Sequence, residues 1–324
     1  MHRRHLLAAS LATPSLATPA LAQPRWTPDR PIRVVVPFAP GGTTDIVARI
    51  LAEPVSQILG QPLVIENRPG GAAGLVGTDA VAKAAPDGYT ILVNSNAQAI
   101  APALVARMPY DAAGDFAGIG MLGRIPQVLC INPRIPANTL AEFLALLRAA
   151  PGRYNFASAG IGSAVHLGGE VFRAVAQVDI QPVHYRGGGP AMQAVIGGEV
   201  AMTVDPIASA LGHIRGGSVR ALAVAGSQRA ATLPDVPSAS EAGLPAFAVD
   251  AWIVALAPAR TPPAAIMALN AAFAAAQRQA TQRLADQAVS PMPEITTPEQ
   301  VIAFIRADML RNADVLRAAG VRPE

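Results

Sequence analysis

Short β-branched runs alternate with longer stretches of helical periodicity along most of the chain. The run 32–36 reads Ile-Arg-Val-Val-Val, which is typical of a buried strand, and residues 45–58 place apolar side chains at helical spacing. The same pattern predicts further strands at 63–66, 90–93, 128–131, 154–157, 180–184, 201–204, 221–224 and 252–256. It predicts further helices at 74–84, 140–149, 163–176, 190–196, 208–215, 263–287 and 298–319. This alternation predicts an α/β fold with largely parallel sheets.

Two strand-to-helix turns are rich in glycine and hydroxyl residues. The first is Ala39-Pro-Gly-Gly-Thr-Thr-Asp45, and the second is Ser158-Ala-Gly-Ile-Gly-Ser163. Glycine lets a backbone come close to a ligand, and the N–H groups at a helix N-terminus favour a negative group. Because the turns are far apart in the chain and each opens its own α/β unit, we expect two lobes that close on one small carboxylate.

The repeated turn also predicts how the chain divides. We expect one lobe from residues 23–131 together with 251–324, and a second lobe from residues 132–250. The chain would cross between them near 129–132 and again near 250–257. The stretch after Pro262 predicts helices without a strand, so these helices must pack on an earlier sheet.

Residues 1–22 have the pattern of a signal peptide. A charged start is followed by the short apolar stretch 6–16 and by Ala20-Leu-Ala22, which predicts cleavage after Ala22 and export. The pair Arg3-Arg4 leaves open whether the general or the twin-arginine route is used. No later segment reaches transmembrane length without glycine, proline or charge.

Composition narrows the possible partners. The 324 residues are 51% hydrophobic and 15% charged, with a net charge of +3 that falls to about +1 without Arg3 and Arg4. Aromatic residues make up only 4% and no basic run is dense, so nucleic acid is not an expected partner. Cys130 is the single cysteine, in an apolar run that predicts a buried side chain. The histidines after the leader are scattered, so we expect no metal site and no cofactor.

Several separated motifs resemble one family. They are Pro37-Phe-Ala-Pro-Gly-Gly42, Glu66-Asn-Arg-Pro-Gly70, Ala85-Pro-Asp-Gly-Tyr-Thr90, Phe156-Ala-Ser-Ala-Gly-Ile-Gly162, Tyr185-Arg-Gly-Gly188, Leu233-Pro-Asp-Val-Pro237 and Glu241-Ala-Gly-Leu-Pro245. In this order they resemble the Bug family of periplasmic solute-binding proteins, the receptors of tripartite tricarboxylate transporters. The resemblance implies a type II periplasmic-binding-protein fold, a monomer in the periplasm, and a small mono- or dicarboxylate handed to membrane transporter subunits.

The resemblance also implies a set of contacts, in which backbone amides and hydroxyls hold the carboxylate without a dedicated arginine clamp. The first lobe would contribute Phe38, Gly42 and Thr43, together with Asn94 and Ser95 at the end of a strand. The second lobe would contribute Ser158, Gly162, Ser163 and His166, with Tyr185, Arg186, Gly187 and Asp205 around the rim.

Simpler interpretations exist for several of these residues. Gly42 fits a tight turn, Ser163 fits an N-cap, and Asp205 before Pro206 fits an N-cap with proline at the first helical position. Ser163 and His166 share one helical face, which leaves a secreted serine hydrolase as an alternative, although no G-x-S-x-G motif surrounds the serine. A periplasmic ligand sensor with a signalling partner is a further alternative. None of these requires a cofactor.

Overall fold

The computed structural model describes residues 26–318; the predicted leader lies outside them. Within that range the strands are β1 (Ile32–Val36), β2 (Leu63–Asn67), β3 (Thr90–Ser95), β4 (Phe116–Ile131), β5 (Asn155–Ser158), β6 (Gln181–His184), β7 (Met202–Pro206), β8 (Arg220–Val224) and β9 (Asp250–Pro258). The helices are α1 (Thr43–Leu59), α2 (Leu75–Ala82), α3 (Ala97–Leu104), α4 (Leu140–Ala149), α5 (Ala164–Ala176), α6 (Gly188–Gly197), α7 (Ile207–Arg215), α8 (Pro263–Gln279), α9 (Thr281–Ala285) and α10 (Pro298–Ala318).

Two parallel half-sheets lie on either side of an antiparallel centre. In the first half-sheet β1 pairs in parallel with β2 and β3, and in the second β5 pairs in parallel with β6 and β7. Between them β9 runs antiparallel to β3 and β4, and β4 runs antiparallel to β7 and β8. The prediction of largely parallel sheets is therefore wrong for the centre of the molecule, because β4 and β9 carry the chain between the two halves.

The long strand β4 joins the two lobes. Its residues 116–126 pair with β9, whereas residues 127–131 pair with β7 and β8. The change of partner thus falls at Pro126 and Gln127, a little before the predicted crossing. Only 128–131 were predicted as strand, because glycine and proline interrupt the earlier half and the register shifts twice there. At one shift Gly123 has φ +146°, and a Cβ there would lie 2.4 Å from Val289.

One apolar cluster continues from the first lobe into the second, and a further cluster lies within each lobe. In the first lobe Val34 and Val36 of β1 pack with α1 and α8, while Val35 faces the opposite side of the sheet, towards α10. Burial on both faces explains the continuous apolar run that predicted β1. In the second lobe the largest fully buried side chains are aromatic: Phe143, Phe156, Phe172 and Phe247. The C-terminal helices α8 and α10 belong to the clusters that contain β1, and among the described residues they form no core of their own.

Two helices differ from the expectation. The predicted helix 263–287 is two helices, α8 and α9, which meet at Ala280. Thr281 Oγ1 donates to the carbonyls of Gln277 and Arg278, a local bond that competes with regular helix. The short helix α3 was not predicted because it contains Pro102, a residue that argues against helix interiors. None of the helices described within residues 26–318 is both long and apolar enough to cross a membrane.

Candidate functional site

The first glycine-rich turn is held by an acidic side chain inside α1. Gly41 takes φ +83°, and its N–H donates to Asp45 Oδ2 at 3.0 Å. Asp45 is 3% exposed and forms an ion pair with Arg49 at 3.0 Å. Burial alone would raise the pKa of Asp45, but hydrogen bonds from Arg49, Gly41 and Asn67 outweigh it and lower that pKa. The Asp45 carboxylate therefore stabilises the turn from the side of α1, and the opposite side of the turn faces the cleft.

The second turn is held by a serine and a histidine. Ser163 Oγ accepts from His166 N–H at 3.0 Å, which confirms the N-cap interpretation. His166 Nδ1 accepts from Gly162 N–H at 3.2 Å, and Gly162 takes φ +74°, a conformation that favours glycine. The histidine ring thus supports the turn as the Asp45 carboxylate supports the first one.

The two turns enclose one small cavity. Its volume is about 40 Å³ and the residues that line it are buried. The N-terminus of α1 faces it through Thr43 and Thr44, and the N-terminus of α5 faces it through Ala164 and Val165. Gly188, the first residue of α6, lines it as well. The first N–H groups of a helix have no intrahelical partner and carry partial positive charge, so three helix ends favour an anion at one point.

Six of the predicted site residues line this cavity: Phe38, Gly42, Thr43, Ser95, Ser163 and Asp205. Sequence reasoning missed the others, which are Thr44, Ala159, Ala164, Val165, Gly188, Pro206, Ala251 and Ile253. Most of these adjoin a predicted residue in the chain and could have been found as neighbours. No sequence pattern marks Ala251 and Ile253 as site residues, because they are apolar residues of a buried strand.

Tyr185 and Arg186 line a second, larger cavity on the same cleft. Its volume is about 450 Å³, and it lies between the loop 70–74 of the first lobe and residues 159–161 of the second. Phe38 and Ala159 line both cavities, so they stand between the two spaces. The cleft therefore has a small buried end and a larger outer end.

The remaining predicted residues support the walls. Asn94 donates to Gln98 Oε1 at 2.8 Å and accepts from Ser95 N–H at 2.8 Å. Ser158 Oγ accepts from Gly160 N–H at 3.2 Å and lies 3.0 Å from His184 Nδ1. A Cβ at Gly187 would lie 2.9 Å from the backbone nitrogen of Ala39. Asn94, Ser158, Gly162, His166 and Gly187 line neither cavity, so direct ligand contact by them stays a prediction.

Asp205 lies at the buried end and does not cap a helix. Pro206 holds the N-cap position of α7, and its carbonyl accepts from Ser209 Oγ at 3.0 Å. Asp205 Oδ1 also accepts from Ser209 Oγ, whereas Oδ2 has no hydrogen-bond partner among the described residues. Burial raises the pKa of Asp205 to about 7, against the lowering effect of the Ser209 hydrogen bond. The N-cap interpretation of Asp205 is therefore wrong.

Apart from the strand pairing, three hydrogen bonds among the described residues cross the cleft, which is therefore closed. Ala39 N–H donates to the Arg186 carbonyl at 3.3 Å, and Ala73 N–H donates to the Ile161 carbonyl at 2.5 Å. The third runs from Thr43 Oγ1 to Ser209 Oγ at 3.0 Å. Each bond has its donor in the first lobe and its acceptor in the second.

The histidine nearest Ser163 is engaged elsewhere. Besides the bond from Gly162 to Nδ1, His166 Nε2 lies 3.6 Å from Glu170 Oε1, and Glu170 forms an ion pair with Arg173 at 2.5 Å. Neither ring nitrogen is bonded to the Ser163 hydroxyl, which accepts from the backbone instead. Within residues 26–318 no three histidine, cysteine, aspartate or glutamate side chains are grouped to hold a metal ion.

Two α/β lobes with a cleft between them, bridged by β4 and β9, define a type II periplasmic binding protein. Residues 47–321 match the family described as "Tripartite tricarboxylate transporter family receptor". The chain belongs to this family, which confirms the resemblance found in its motifs.

Three relatives illustrate the likeness. "Protein BugT" of Bordetella pertussis is 38% identical over 297 residues, which is 91% of each chain. The solved structure of "periplasmic binding protein BugD" has a TM-score of 0.88 at 32% identity, covering 92% of this chain and 100% of that one. MatC from Rhodopseudomonas palustris, solved with bound malate, has a TM-score of 0.84 at 37% identity, covering 89% of this chain and 99% of that one.

Proposed function

We propose that this protein captures a small organic mono- or dicarboxylate between its lobes and delivers it to the membrane subunits of a tripartite tricarboxylate transporter. The observation that carries the proposal is the convergence of the α1, α5 and α6 N-termini on one buried cavity. Such an arrangement stabilises an anion by backbone N–H groups and helix dipoles, without an arginine. The bound malate of the similar MatC supports a carboxylate as that anion.

Each of the two cavities accommodates a different part of the ligand. The small one, about 40 Å³, holds more than a single water but is far below the roughly 300 Å³ of a typical ligand pocket. One carboxylate therefore occupies it, and the rest of the ligand extends past Phe38 and Ala159 into the cavity of about 450 Å³. A second carboxylate would there meet Arg186 and Tyr185. The small inner cavity binds the carboxylate, and the larger outer cavity determines which remainder of the molecule fits.

The binding role has no need of catalysis. His166 and Ser163 are used to build the second turn, and the family to which the chain belongs is described as a receptor. We therefore propose a monomeric binding protein, made for export to the periplasm with cleavage after Ala22. Intact mass of periplasmic protein checks this: the chain should start at Gln23, and a chain retaining residues 1–22 would contradict it.

A thermal-shift screen tests the binding function. Acetate, succinate, malate, adipate and citrate are compared with their neutral amides at matched concentration. A ligand at 100 times its Kd stabilises the folded state by about 2.7 kcal/mol, which raises the melting temperature by several degrees. At least one carboxylate should produce this shift and its amide should not. If no carboxylate in the panel raises the melting temperature, the proposed function is wrong.

A further inference from the structure

The buried end of the cleft contains an acidic side chain where the proposed function places an anion. Asp205 is 1% exposed and lines the cavity bracketed by the three helix N-termini. Its Oδ1 is bonded by Ser209, and Ser209 is bonded in turn by Thr43 of the opposite lobe. Oδ2 is buried and has no partner among the described residues. A buried polar atom without a partner is costly, so its presence at this point calls for a ligand.

An ionised Asp205 would oppose the ligand. Two carboxylates in one dry cavity repel each other, and such pairs commonly share a single proton. A carboxylic acid kept neutral by its apolar surroundings can instead donate a hydrogen bond to an oxyanion. Val128, Val204 and Ile207 around this position are buried and apolar.

We propose that Asp205 carries a proton in the ligand-bound state and uses Oδ2 as a hydrogen-bond donor to the ligand carboxylate, so that the protein takes up a proton when it binds. This inference rests on the proposed function and adds a protonation requirement to the same site. Specificity follows from it: the inner cavity accepts an ionised carboxylate and excludes a group that can only donate.

Among residues 26–318, no cationic side chain pairs with Asp205. On β4, Cys130 is a neutral thiol, because burial and the nearby Asp205 raise its pKa well above the usual range. On α1, Arg49 is paired with Asp45. On α5, Arg173 is paired with Glu170, and His166 faces that same carboxylate.

The far end of α7 carries His213 and Arg215 in its last turn, while Asp205 precedes its first turn. Helix α6 contains no ionisable side chain, and neither does β5. The raised pKa of Asp205 agrees with the lack of a paired cation, since burial raises this pKa to about 7. A bound carboxylate raises it further by like charge.

Calorimetry in buffers of different ionisation enthalpy measures the proton directly, with succinate and malate as probes. Between pH 6.5 and 8.5 both probes are largely ionised, because carboxyl pKa values lie near 4. We expect uptake of close to one proton per ligand at pH 8 and less at pH 6.5. The Kd should rise about tenfold per pH unit above the pKa of the free protein. This measurement uses the wild-type protein and depends on no variant.

The variant Asp205→Asn shows whether Asp205 or a histidine of the site takes up the proton. The amide keeps the shape and supplies a neutral N–H₂ donor, so the variant should bind at pH 8 with no proton uptake from this position and a flatter pH profile. Ser209→Ala, which retains Asp205 but removes the bond that lowers its pKa, should keep a pH-dependent Kd whose rise begins at a higher pH, and it serves as the second variant. If a probe binds wild type without proton uptake at pH 8, or if the pH profile of Asp205→Asn matches wild type, the inference is wrong while the proposed function stands. If neither probe nor any other carboxylate binds wild type, both are wrong.

Discussion

The hydroxyl of Thr43 donates to the hydroxyl of Ser209 at 3.0 Å, although 166 positions separate them in the chain. Thr43 begins α1 in the first lobe and Ser209 lies in the first turn of α7 in the second. The bond therefore exists only when the lobes are closed. Since Thr43 also lines the inner cavity, the residue that faces the anion also joins the lobes around it.

Thr43→Val removes this bond and keeps the shape of the side chain. A neutral hydrogen bond contributes about 0.5–1.5 kcal/mol, so the closed state and ligand affinity should each fall about two- to tenfold. Small-angle scattering should show a larger radius of gyration for the ligand-free variant than for wild type. Thr281→Val, on exposed α9 away from the cleft, is the control. Equal radii for Thr43→Val and wild type would contradict a role in closure.

Gly189→Ala should hold the lobes apart. A Cβ at Gly189 would lie 2.7 Å from the Pro40 carbonyl oxygen across the cleft, which the closed state cannot accommodate. Gly189 lies in α6, so alanine suits its backbone and the variant should fold normally. We expect at least a tenfold loss of affinity, measured by calorimetry, and no compaction on adding ligand.

The matched control is Gly197→Ala in the same helix. A Cβ there has no neighbour within 4 Å, so binding should be unchanged and the melting temperature slightly raised. If Gly189→Ala binds as tightly as Gly197→Ala, the closed arrangement of α6 against the first turn is not the ligand-bound one.

Ser163→Ala should weaken both binding and folding. A hydrogen bond to a charged group contributes about 1.5–3 kcal/mol, which corresponds to a tenfold to hundredfold rise in Kd. The lost N-cap costs about 1 kcal/mol of stability in addition. Thr139→Ala removes the equivalent cap of α4, where Thr139 Oγ1 accepts from Glu142 N–H at 3.2 Å, so it should lower the melting temperature alone.

Substitution of Arg186 tests whether an arginine side chain, and not the backbone N–H groups, holds the ligand carboxylate. We expect Arg186→Ala to reduce affinity for dicarboxylates but to leave a monocarboxylate largely unaffected, because Arg186 lines only the outer cavity. Ser158→Ala should act more weakly than Ser163→Ala, since Ser158 lines neither cavity. If Arg186→Ala abolishes all binding while Ser163→Ala binds normally, Arg186 holds the carboxylate and binding by backbone N–H groups is wrong.

Stability should depend on pH through Asp205. Its pKa is about 7 in the folded protein and about 3.9 in an unfolded chain, so folding binds a proton between these values. The free energy of unfolding from this group is highest below pH 4, falls as the pH rises to about 7, and is constant above. Asp205→Asn removes the fall, so its free energy of unfolding relative to wild type should increase by about 3 kcal/mol from pH 4.5 to pH 8, which thermal and denaturant unfolding measure.

Asp45→Asn is the matched control, with the opposite sign. Hydrogen bonds lower the pKa of Asp45 in the folded protein, so its stabilising effect is present above the unfolded pKa and lost as the pH falls. The variant should be destabilised most near neutral pH. An identical pH trend for the two variants would contradict the assigned environments.

The sequence predicted what depends on local pattern. The strand at Val34 is buried on both faces and was found from its apolar run, and α4 was found with its bounds, since Thr139 caps its start and Pro151-Gly152 follows its end. The two turns were found from their glycines, because a positive φ at Gly41 or Gly162 has a direct signature in the chain.

What depends on distant contacts was missed. The first half of β4 is a strand because β9 pairs with it, although glycines and a proline interrupt its sequence. The role of Asp205 was misjudged since Asp-Pro is a common helix start, and only the fold shows Ser209 and a buried, unpartnered oxygen beside it. Ala251 and Ile253 reach the cavity through β9, which no local pattern reveals.

Calorimetric titration of the wild-type protein with malate and with malamide shows whether the cleft binds a carboxylate by its charge. The two molecules share size and shape, and only malate carries the charge that three helix N-termini favour. We expect saturable one-to-one binding of malate, or of another carboxylate that the thermal screen selects, and at least a hundredfold weaker binding of the matched amide. Equal affinity for carboxylate and amide would contradict an anion site between the lobes.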